Sequence, residues 1–174
     1  TKQISQFSPD GTLAVHKDGT TLELLDTQSW RVKYRFMFPS RINGVKFFNH
    51  EYKILVLLRN DHADVHIWDY QTDDMLRISD DDIPEGFGWY YCTTDPSVSF
   101  DDRFIFFRVC GDGGDGYFYD LVENQLSQVG YNDIYLFNPV KNELLGVPLY
   151  MRTNPDVFMF DTQNGPMIFE ETGT

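Results

Sequence analysis

The four histidines, His16, His50, His62 and His66, and the two cysteines, Cys92 and Cys110, are the side chains best suited to metal, redox or nucleophilic chemistry. Their spacing argues against such uses. His62 and His66 lack a Cys or acid at the distance a zinc site requires, so we expect the histidines as surface or strand residues. Cys92 and Cys110 flank one predicted hairpin and could lie near each other. A domain of this length has no need of a disulfide framework, however, and buried reduced thiols are expected.

Carboxylates are the other candidate chemistry. Asp73-Asp74 and Asp101-Asp102 fall where turns are predicted, which makes them solvated turn residues rather than an acid–base pair. The run Gly111-Asp112-Gly113-Gly114-Asp115-Gly116 imitates a calcium loop or a phosphate cradle. The former needs oxygen ligands at alternating positions and a later bidentate acid, and the latter needs a helix to follow. Neither context is present, so the run reads as a hairpin turn. No Gly-x-Ser-x-Gly elbow and no His-Glu-x-x-His occurs. The expectation is therefore a protein that is not an enzyme, with no catalytic, cofactor or metal residues.

The elements that would position any site are strands. The chain has 174 residues, 41% of them hydrophobic and 16% aromatic, a composition that suits one globular unit with sheets packed face to face. Its formal charge of −13 opposes phosphate backbones, which excludes nucleic acid as the expected partner. Apolar stretches such as Ile54 to Leu58 and Phe104 to Phe107 are too short to cross a bilayer, so no membrane partner is expected. No Asn-x-Ser/Thr acceptor occurs, and an intracellular setting, cytoplasmic or nuclear, is the expectation. The chain opens at Thr1, which we read as processing or, by preference, excision from something longer.

A repeat organises the strands. An apolar stretch closing on Asp recurs as Leu22-Glu23-Leu24-Leu25-Asp26, Val65-His66-Ile67-Trp68-Asp69, Tyr117-Phe118-Tyr119-Asp120 and Val157-Phe158-Met159-Phe160-Asp161. The copies are about 40 to 50 residues apart, the length of a four-stranded propeller blade. A second marker keeps step with the first. An apolar strand ends in a polar turn at Phe7-Ser8-Pro9-Asp10-Gly11, Phe48-Asn49-His50-Glu51, Phe100-Asp101-Asp102 and Phe137-Asn138-Pro139. Second strands are predicted over 13–16, 54–58, 104–109 and 144–150, and fourth strands near 31–36, 75–78, 125–128 and 166–169. Several second strands are apolar at consecutive positions, as expected where both faces of a sheet are covered. No window predicts a long helix.

On the Trp68-Asp69 pair and the Phe7-Ser8-Pro9-Asp10-Gly11 turn, the chain resembles the WD-repeat β-propeller family over nearly its whole length. The other units close on Leu25-Asp26, Tyr119-Asp120 and Phe160-Asp161, and the family's Gly-His pair is missing from each, so its hydrogen-bonded tetrad is not carried over. The same pattern is similar to that of other propellers, including bacterial six-bladed ones and those attached to serine peptidases. The resemblance implies an all-β fold of about four four-stranded antiparallel blades, at roughly 1–40, 41–84, 85–130 and 131–174. Four are few, so we expect part of a larger ring or one completed by oligomerisation; a self-contained four-bladed ring is the remaining arrangement.

The implied function is a non-catalytic scaffold for protein or peptide partners, with self-association as a further outcome. The alternatives are a propeller segment of a larger enzyme, such as a serine peptidase, and a self-associating assembly subunit. In this family's geometry the links between units share one end with the turns between second and third strands. That end would gather Arg41, His62, Phe87, Trp89 and Arg152 as contact residues. Phe87 and Trp89 lie in the insertion from Ser79 to Trp89, whose acidic run reads either as a solvated linker or as a contact loop for a basic partner.

Overall fold

The computed structural model describes residues 2–59, 63–78, 93–109, 115–131, 133–137, 144–148, 157–159 and 168–170. All regular structure among them is antiparallel strand, with no helix. Strands β1 (Ile4–Phe7), β2 (Leu13–Asp18), β3 (Thr21–Asp26) and β4 (Val32–Met37) form the first sheet in chain order. Strands β5 (Arg41–Phe47), β6 (Lys53–Arg59), β7 (Ala63–Asp69) and β8 (Met75–Ile78) repeat it, as do β9 (Thr93–Val98), β10 (Phe104–Val109), β11 (Asp115–Asp120) and β12 (Gln125–Tyr131). Beyond them β13 (Asp133–Phe137) pairs with β14 (Leu144–Pro148), and β15 (Val157–Met159) with β16 (Ile168–Glu170). The expected fourth four-stranded sheet is thus described as two pairs, with β14 running close to β15.

The consecutive apolar run in β6 has the predicted cause. Ile54, Val56 and Leu58 point one way, into a core with Leu13, Val15, Leu22 and Leu24 of the first sheet. Leu55 and Leu57 point the other way, against Ile105, Phe107, Tyr117 and Tyr119 of the third. Each of these β6 side chains is essentially fully buried, worth about 1.5–3 kcal/mol apiece. The middle sheet is therefore covered on both faces.

The repeat markers occupy equivalent places. Asp26 Oδ1 accepts the N–H groups of Gln28 and Ser29 at 3.2 and 2.7 Å; Asp69 accepts those of Gln71 and Thr72 at 3.0 and 3.2 Å. Asp120 accepts those of Val122 and Glu123 at 2.9 and 3.2 Å. Each side chain thereby builds the turn out of the third strand of its sheet, and Trp30, Asp73 and Asn124 close these turns at φ of 55°, 66° and 53°. Asp161, the fourth marker, lies outside the described residues.

First strands of successive sheets are neighbours: β1 lies beside β5, β5 beside β9, and β9 beside β13. The approach is close. A Cβ placed on Gly44 of β5 would sit 2.9 Å from Cδ of Pro96 in β9. Pro96 falls where the register of β9 against β10 slips, so its missing N–H breaks no ladder bond.

Candidate functional site

Among the predicted contact residues, Arg41 is described; His62, Phe87, Trp89 and Arg152 lie outside the described residues, as do Cys92, Cys110 and the insertion from Ser79 to Trp89. Arg41 opens β5, exposed, at the end of the sheet where the first unit hands over to the second. The hand-over is built by main-chain bonds. Phe38 N donates to Thr20 O at 2.9 Å and Ile42 N to Gly19 O at 2.9 Å, so the link between units lies against the turn between β2 and β3. Gly19 supplies the φ of +60° that this tight turn requires.

Two further cations join Arg41 that inspection of the sequence did not single out. Arg59, exposed at the end of β6, is the direct cross-strand partner of Arg41. Lys17, half-buried on β2, donates from Nζ to Asn43 O at 2.7 Å, the carbonyl where β5 slips register against β6. Burial pushes the Lys17 ammonium below its ordinary pKa, and the charge of Arg41 adds to the effect. Like charges directly opposite on a sheet are destabilising. No acidic side chain among the described residues is ion-paired with either Arg41 or Arg59. Two arginines paired across strands suit carboxylates, which a guanidinium can grip through paired N–H donors. The sequence alone does not give this pair: regular pairing continued from Phe47 opposite Ile54 would put Arg41 opposite position 60, and the slip between Ile42 and Gly44 sets Arg59 there instead.

The other charged clusters have structural partners. Glu23 is held by Lys2 and by Arg35, whose Nη2 donates at 2.5 Å. The bond from Lys2 leads, and with Arg35 it keeps Glu23 below the usual carboxylate range although burial opposes this. Asp64, buried on β7, accepts from Arg77 Nε at 2.7 Å and lies 2.9 Å from His66 Nε2. His66 is a buried strand residue whose ring meets Phe38 edge-on. At Asp101-Asp102 the expectation needs correcting. Asp101 is an exposed turn residue, but Asp102 is 4% exposed, and its carboxylate accepts Asn49 N at 2.7 Å and His50 N at 2.6 Å across the gap between sheets. It ties two hairpins together, and burial follows from that bonding. No group of three or more metal-ligating side chains occurs among the described residues, and no helix there is long and apolar enough to cross a membrane.

No family model matches the chain, and no curated protein does. Among solved structures 380 chains match, which marks the architecture as one shared by many proteins and so silent about function. One is Kuenenia stuttgartiensis hydrazine synthase, similar over 80% of this chain with a TM-score of 0.58 and 10% identity, so the likeness concerns fold alone. This chain spans 47% of that one, about half its length.

Proposed function

We propose that the chain is a non-catalytic protein-interaction scaffold, built as propeller blades of WD-repeat-like type, which receives protein or peptide partners at the end carrying Arg41 and Arg59. What supports the propeller reading is the succession of neighbouring first strands, β1, β5, β9 and β13, with sheets stacked face to face between them. Strands that converge while their sheets splay outward give a radial array. The observation that carries the binding end is the Arg41–Arg59 pair. A chain with 27 acidic residues sets two arginines directly opposite each other, at a cost in stability, where a carboxylate from a partner would relieve the repulsion.

Cross-linking to bound proteins, followed by affinity measurement on variants, tests this. Cross-links should map to the ends of β2, β5 and β6. The substitutions Arg41→Ala and Arg59→Ala should each weaken capture by at least about 1 kcal/mol while leaving the circular dichroism unchanged. Cross-links confined to the opposite end, with the Asp26, Asp69 and Asp120 turns, would reject the assignment.

A further inference from the structure

Three tyrosines from separate parts of the chain meet where the first two sheets join. Tyr34 stands on β4 opposite Leu24, Tyr52 in the turn between β5 and β6, and Tyr70 directly after the Asp69 that closes β7. Tyr70 is the common member. Its ring centre lies 5.2 Å from that of Tyr34, tilted by 52°, and 6.0 Å from that of Tyr52, edge to face at 78°. The main chain holds the second pair together, since Tyr70 N donates to Tyr52 O at 3.0 Å. Buried Phe47 and Trp68 also meet the Tyr70 ring edge to face, each with its centre 6.3 Å away. Tyr70 is 8% exposed, Tyr34 half-buried and Tyr52 56% exposed, so the cluster is rooted in the core and opens to water through Tyr52.

Its surroundings suit a positive charge. The face of an aromatic ring is the negative part of its quadrupole and attracts a cation lying within about 6 Å of the ring centre. Lys33 already shows the effect, with Nζ 5.5 Å from the centre of the Tyr34 ring. Burial pushes the Tyr70 hydroxyl up to about 12, and the negative charges of Asp10 and Asp69 act in the same direction. Those two carboxylates accept main-chain N–H groups of their own turns, Asp10 from Thr12 and Asp69 from Gln71 and Thr72. No cation among the described residues is ion-paired with either. Their charge is left to act on whatever rests against the rings.

We infer that the exposed side of the Tyr34–Tyr52–Tyr70 cluster is a second binding site, opposite in chemistry to the Arg41 end, which takes a lysine or arginine side chain from a basic segment of a protein partner. Such a side chain matches both properties of the site. Its charged head is drawn to the ring faces and to the field of Asp10 and Asp69, while its methylene stem covers the apolar ring surface that Tyr52 leaves in water. The site shares no residue with the Arg41–Arg59 pair and stands independently of it.

Ring-proton NMR of the full chain tests this, in titrations with a short acetylated and amidated lysine–alanine peptide and with the same peptide carrying norleucine in place of lysine. The lysine peptide should shift the Tyr34, Tyr52 and Tyr70 ring resonances, and the norleucine peptide should leave them in place. Tyr52→Leu removes a ring at an exposed position and should weaken binding about threefold to tenfold with unchanged circular dichroism, whereas Tyr52→Phe should retain it. A lysine peptide that binds without moving these resonances, or equally well to Tyr52→Leu, is held by the net charge of −13 alone and overturns the site. Equal shifts with the norleucine peptide overturn the cation as occupant, and no shift with either peptide overturns both. The shifts are read on the unaltered chain, so the test does not hang on a variant that folds. Each outcome leaves the Arg41 and Arg59 capture measurement unaffected, and the two readings fall separately.

Discussion

Asp102 shows how much one side chain can do at a junction. It adopts φ of +60° at the turn position that Gly11 fills in the first sheet, a conformation that costs a residue with a Cβ about 1–2 kcal/mol. Its carboxylate repays the strain with the bonds to Asn49 N and His50 N and a third from Asn49 Nδ2 at 3.0 Å. Replacing it separates the two effects. Asp102→Ala keeps the strain and loses the bonds, for an expected destabilisation of about 3 kcal/mol in urea denaturation. Asp102→Gly loses the bonds but relieves the backbone, and should be about 1 kcal/mol less damaging than Asp102→Ala. Equal losses would show that the turn is not strained. Nothing in the local sequence announces this role, because Asp101 and Asp102 look alike until the third sheet is laid against the second.

At the scale of elements, the first strands set the spacing of the sheets. The contact between Gly44 and Pro96 leaves no room for a methyl group: Gly44→Ala would place its Cβ 2.9 Å from Pro96 Cδ and 3.2 Å from Pro96 Cγ. The proline ring is rigid and its strand is packed, so the substitution should cost about 1–3 kcal/mol of overpacking. Gly44→Ala/Pro96→Ala should restore part of that loss, read as a shift of thermal midpoint. Strand identity was largely legible at this scale. The prediction of β10 over Phe104–Val109 and of β8 over Met75–Ile78 coincides with the observed strands, since turn-forming Asp, Ser and Gly stand near their ends. The bulges were not legible. The slips between Ile4 and Gln6 and between Ile42 and Gly44 depend on how each first strand meets its neighbour, and no residue type requires one there.

For the molecule as a whole, stability should respond to pH through the junction of the first two sheets. Burial lowers the pKa of His66 below its ordinary 6.5, with the nearby Asp64 opposing and Arg77 assisting. The unfolded chain then binds more protons than the folded one as pH falls below about 6.5, so stability declines on acidification until the folded His66 also protonates. His66→Phe should flatten the dependence of unfolding free energy between pH 7 and 5 relative to the wild type. A variant with the same slope would remove His66 as its source. At lower pH a second loss follows. Glu23 and Asp120 are both held below their ordinary values, so what they contribute is present above those values and disappears as each protonates in the fold.

What the sequence determined by itself is the unit: an apolar strand closing on Asp, a polar hairpin turn that keeps step with it, and apolar runs that demand a sheet on either side. These features arise from contacts within a few tens of residues, where side-chain type and spacing suffice. Only the tertiary structure decided that Arg59 faces Arg41, through the register slip in β5, and that Asp102 reaches across to another hairpin. The first depends on how β5 meets its neighbours, the second on which sheet lies against which face. That choice is made by packing between units distant in the chain, which a pattern repeated in every unit cannot encode.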